Sequence, residues 1–149
     1  MLTLETWISF GSLAMTVLFA ALMISFYLFL VGPDEKGPGI YVDPQGVLIQ
    51  IISISGVPAL ILAGTVFGLQ RAYLVKEATL VLIASGIIVI VGMAIAGTIV
   101  PKINRNYILG GIDAVPFVFM AGGAAVTCFA IYSLYRTRQS RRNLEDERR

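Results

Sequence analysis

The chain has 149 residues, 57% of them hydrophobic and 13% charged, with a net charge of +2 and a mean hydropathy of +0.84. A soluble domain carries roughly 25% charged residues, and here the charges avoid four long windows altogether, which excludes a water-soluble globule. A single cysteine, Cys128, excludes an internal disulfide, and the lack of any histidine excludes haem, copper, di-iron or zinc sites built on imidazole from this chain alone.

Residues 7–31, 47–70, 78–100 and 114–135 contain no Asp, Glu, Lys or Arg. About 20 apolar residues cross a hydrocarbon core of about 30 Å, so each window can span a membrane with some tilt. The predicted fold is all-α: a polytopic membrane protein with four transmembrane helices in an up-down bundle over 1–135, and a charged tail over 136–149.

The first window has only Glu5 as a charge before it and is much longer than the apolar stretch of a cleaved signal peptide, so it reads as a retained helix. Gly32 and Pro33 close it, a glycine followed by a residue that cannot continue a helix. The connection over 32–46, GPDEKGPGIYVDPQG, holds three prolines and four glycines and reads as a turn-rich loop whose apolar part is Ile40, Tyr41 and Val42. Asp43 and Pro44 predict the start of the second helix, a capping carboxylate and a proline at the first helical position. Pro58 falls inside that helix, where it removes a donor from the Ile54 carbonyl and predicts a kink. A static kink is the expected role, because no ionisable residue accompanies it as a substrate site would require.

The second link, over 71–77, is short and basic, and predicts that helices two and three are antiparallel neighbours. Pro101 ends the third helix. In the third connection, PKINRNYILGGID, Tyr107, Ile108 and Leu109 read as an interfacial foot, and Asp113 is positioned to cap helix four, with Pro116 in its first turn. The tail carries six arginines and three acids and is expected to continue the fourth helix. Cytoplasmic termini would place eight Lys and Arg residues on that side against three on the other, which predicts a protein integral to the cell membrane with both termini in the cytoplasm. Arg136, Arg138, Arg141 and Arg142 are the candidates for fixing topology and meeting anionic lipid. Acids interrupt the basic run, so nucleic-acid binding is not expected.

Small residues recur at four-residue spacing: Gly64 and Gly68 in GTVFG, Gly92 and Ala96 in GMAIA, Ala121 and Ala125 in AGGAA. Such steps let helix backbones approach closely, which is how helices associate when lipid is as apolar as the side chains. For any one step, packing among the four helices of this chain is the expected role, and contact with another subunit is the alternative.

Within the windows the polar side chains are hydroxyls, Gln50, Gln70 and Cys128. Proton and ion pathways place a charged or titratable partner in the membrane, and hydrolases and nucleotide enzymes need motifs that do not occur here. No catalytic, metal or cofactor residue is predicted. The expected function is a noncatalytic accessory subunit of a larger integral membrane complex, whose partners are other membrane subunits and lipids. The alternative is a small stand-alone transporter or channel.

The histidine-free four-span layout, the helix VLIASGIIVIVGMAIAGTIV and the loop GPDEKGPGIYVDPQG resemble the small auxiliary subunits of archaeal ammonia monooxygenase. That resemblance implies a role beside a copper monooxygenase of the ammonia- and methane-oxidising type, with copper held by partner subunits and none by this chain.

Overall fold

A computed structural model describes residues 4–33, 36–70, 76–108 and 111–146. The protein is all-α, with no strand among those residues, and it has four helices long and apolar enough to cross a membrane: Leu4–Val31, Pro44–Leu69, Lys76–Lys102 and Val115–Tyr135. The first span is helix α1 (Leu4–Val31). The second consists of α2 (Pro44–Ile51), a π-helical turn (Ile52–Gly56) and α3 (Val57–Gln70). The third is α4 (Lys76–Ile99), closed by a 3-10 turn (Val100–Lys102) that contains Pro101. The fourth belongs to α5 (Val115–Asp146), one continuous helix that runs on into the tail.

The first and third helices begin earlier than their uncharged windows, because a helix tolerates Glu5 or Glu77 in its first turn, where a carboxylate meets the positive end of the backbone dipole. The turn chemistry at the other end of α1 follows from glycine. Gly32 adopts φ 64°, and a Cβ there would overlap the carbonyl of Gly37, whose N–H donates to the Val31 carbonyl at 3.0 Å. Asp43 occupies the cap position of α2 with extended backbone, but its side chain makes no capping bond. The carboxylate lies beside the first turn instead, where a Cβ on Gly46 would meet it at 2.7 Å. Asp113 sits in the turn before α5, which starts at Val115, so Ala114 rather than Asp113 holds the position directly before the helix.

Two apolar clusters sort the helix ends. One gathers Met23, Phe26, Tyr27 and Leu30 of α1 with Leu48 of α2, Met93 and Ala96 of α4, Ile103 and Ile112. The other gathers Ala63 and Val66 of α3 with Ala78 and Leu82 of α4 and Ala130 of α5, and Ile8 packs against it. Each cluster joins the C-terminal part of some spans to the N-terminal part of others.

The order of packing differs from the one expected from the short second link. The first span packs against both the second and the third, and the fourth packs chiefly against the third. The second and third spans meet mainly where Ala63 and Val66 approach Ala78 and Leu82. A short link fixes where two helices are joined but not which helix covers their flanks, and here α1 takes most of that contact. The loops also differ from expectation. Tyr107 and Ile108 turn inward against the first cluster, and a Cβ on Gly37 would strike the Tyr107 ring at 2.6 Å. Leu109 lies outside the described residues. Tyr41 is fully exposed and Ile40 largely so.

Candidate functional site

The three small-residue steps look alike in sequence, and the structure uses them differently. Gly92 lies against α1, where an added Cβ would come within 2.8 Å of the Ala20 side chain, and Ala96 is fully buried. This step holds the first and third spans together. Gly64 and Gly68 are exposed, and an added Cβ at either would meet nothing within 4 Å. Ala121 and Ala125 are exposed as well. Two of the three steps therefore lie outside the helix contacts of this chain.

Two further glycines mark the tightest approach between two spans, and spacing arguments missed them. A Cβ on Gly86 would overlap Thr127 Oγ1 and come within 2.9 Å of the Gly123 carbonyl, while one on Gly123 would meet the Gly86 carbonyl at 3.0 Å. The third and fourth spans thus touch backbone to backbone. In the sequence Gly86 stands among the other glycines of α4, Gly92 and Gly97, and Gly123 stands beside Gly122, and neither Gly86 nor Gly123 has a glycine or alanine four residues away to reveal it.

Pro58 is the second residue of α3, with Val57 between it and the end of the π-helical turn. The N–H of Val57 donates to the Ile52 carbonyl five residues back, one residue further than in an α-helix. The widened turn lies where the proline ring would otherwise crowd the carbonyl four residues before it. Ser55 Oγ donates to the Ile51 carbonyl at 2.7 Å, which supplies hydrogen bonding within the irregular turn. The turn sets Gly56 against the Phe19 ring, which a Cβ would meet at 3.1 Å.

Beside this turn the four spans do not close on one another. A cavity of about 260 Å³ lies among Ser12 and Thr16 of α1, Gly56, Leu60 of α3, Ser85 of α4 and Gly122 of α5. A second cleft of about 170 Å³, lined by Gly64, Phe67, Leu82 and Phe129, shares Leu60, Ala63 and Val126 with it. The hydroxyls around the cavity are bonded to helix carbonyls: Ser12 to Ala59 at 3.2 Å, Thr16 to Ser12 at 2.8 Å and Ser85 to Val81 at 3.0 Å. The bond from Ser12 also ties the first span to the second just beyond Pro58.

The fourth span is the least covered. Inside the protein 11% of its apolar window is buried, against 28–39% for the other three. Phe117, Val118, Phe129, Ile131 and Tyr132 all face outward from it. Arg136, Arg138, Arg141 and Arg142 lie on the helical continuation of α5, and their side chains fall outside what the structure describes. Among the described residues no group of three or more His, Cys, Asp or Glu side chains is placed to hold a metal ion.

Comparison with protein families, curated proteins and solved structures finds no match to this chain. The functional reading therefore rests on the geometry just described.

Proposed function

We propose that this chain is a noncatalytic subunit of a multi-subunit integral membrane complex, docked through the outer faces of its second and fourth spans. The observation that carries the proposal is the split among the small-residue steps. Gly92 and Ala96 are consumed by internal packing, whereas Gly64, Gly68, Ala121 and Ala125 are left uncovered on two different spans. In lipid, close backbone approach is a main source of helix association, and these steps offer it to a helix from outside. The sparsely covered fourth span, with its outward phenylalanines, extends the same surface.

In its specific form the proposal follows the resemblance to auxiliary subunits of archaeal ammonia monooxygenase. The partner is then a copper enzyme of the ammonia- or methane-oxidising type, with copper on the partner and no cofactor on this chain. The tail arginines Arg136, Arg138, Arg141 and Arg142 orient the protein in the cell membrane with both termini in the cytoplasm, by the excess of eight basic residues over three. They also lie against anionic headgroups. Affinity purification from native membranes tests both forms. A stoichiometric membrane partner is expected, and a copper protein in the specific case. A lone monomer or homo-oligomer that transports solute in liposomes contradicts both.

A further inference from the structure

The cavity beside the π-helical turn continues into the cleft that reaches Gly64 on the outer face of the second span, and it has its own chemistry. At about 260 Å³ it exceeds the apolar cavities of roughly 150 Å³ that stay dry and take up benzene-sized hydrocarbons. Its hydroxyl protons, on Ser12, Thr16 and Ser85, are already bound to helix carbonyls. An ion or a strongly polar ligand would surrender its hydration there with little to replace it.

The shape narrows the choice among apolar occupants. The cavity and the adjoining cleft follow the second span from Gly56 to Phe67, about 16 Å at 1.5 Å per residue. That length is close to one leaflet, half of a hydrocarbon core of about 30 Å. Aromatic pairs mark both ends: Phe19 and Phe119 have ring centroids 4.7 Å apart, and Phe67 of α3 and Phe129 of α5 lie 5.7 Å apart. A helix is 10–12 Å across and cannot lie in a slot whose sides meet in this way. A flexible hydrocarbon chain can. Room also remains inside, because a Cβ added at Gly122 would meet nothing within 4 Å.

We infer that this slot is a binding site for one phospholipid acyl chain, entering sideways between the second and fourth spans. The chain lies along α3 from the π-helical turn toward Phe67 and fills the volume that the glycine and alanine side chains leave open.

Photolabelling of the full chain tests this. The protein is reconstituted in vesicles of palmitoyl-oleoyl phosphatidylcholine doped with the same lipid carrying a diazirine on its acyl chain, and labelled positions are mapped by mass spectrometry. Labelling at Ala63 and Val126 is expected to exceed that at Phe117 and Ile131, which face lipid on the outside, by severalfold. Gly122→Leu should lower the slot labels severalfold and leave Phe117 and Ile131 unchanged. Slot labels no higher than those outer positions, or unaltered in a folded Gly122→Leu protein, overturn the assignment. If that variant does not fold, Leu60→Trp, at a half-exposed position on the rim, is read by the same two outcomes.

Discussion

At the end of the bundle that carries the two long loops, Met23, Phe26, Tyr27 and Leu30 interlock with Leu48, Met93, Ile103 and Ile112. At the opposite end the core consists of Ala63, Val66, Ala78, Leu82 and Ala130. Large side chains fill the first region, and loops return onto it: Tyr27 donates its hydroxyl hydrogen bond to the Ile112 carbonyl at 2.8 Å, and Tyr107 packs from the third connection. Small side chains make up the second, and between the two a cavity stays open. Without a transfer from water to drive association, the contact between helices in lipid depends on van der Waals fit. The loop end supplies that fit from within the chain. The tail end leaves part of it, on the readings proposed above, to an acyl chain and to another subunit.

The largest effect should come from emptying the well-filled end. Met23 is fully buried there, and Met23→Ala is expected to cost about 2–3 kcal/mol, the lower part of the range for core truncation, since lipid removes the water-transfer contribution. Unfolding by SDS titration in mixed micelles measures it. A loss below that found for truncating the exposed Phe117 would dissolve the contrast between the two ends.

Next is Gly86→Ala, which forces a methyl group onto Thr127 and the Gly123 carbonyl and should cost about 1–3 kcal/mol by overpacking. The same titration should show the third and fourth spans separating first, read by cross-linking between them. Tyr27→Phe removes one buried hydrogen bond and strands the Ile112 carbonyl, for an expected loss of about 1–2 kcal/mol. An unchanged midpoint would mean that water or another donor reaches that carbonyl. The smallest change has the opposite sign. Gly122→Ala meets no neighbour and should stabilise by up to about 1 kcal/mol through helix propensity. Set against Gly86→Ala, it asks whether the open and closed faces of the third and fourth spans are where the structure puts them.

How much of this is legible in the sequence depends on what water can mark. Charges and prolines border the spans, so 7–31, 47–70, 78–100 and 114–135 identify the four helices to within a few residues. Faces are a different matter. In a membrane the outward surface is as apolar as the inward one, so GTVFG and GMAIA carry the same spacing although the first lies open and the second is packed against α1. The disturbance near Pro58 follows from its missing N–H, but the form it takes, a π-helical turn from Ile52 to Gly56 that sets Gly56 against the Phe19 ring, is carried by no spacing in the sequence. The cavity depends on which spans fail to meet. Nothing in the 71–77 link shows that α1 would take most of the contact with the second span.

The most direct measurement is the mass of the tagged chain's complex, extracted from native membranes in mild detergent, for the wild type and for Gly68→Leu combined with Ala125→Leu. Both substitutions fall on uncovered steps and outside the acyl-chain slot. The wild type should run with a stoichiometric membrane partner, and the double variant should fold, insert and lose it. A wild-type chain that runs alone, or a double variant that keeps its partner undiminished, would contradict a subunit docked through these faces.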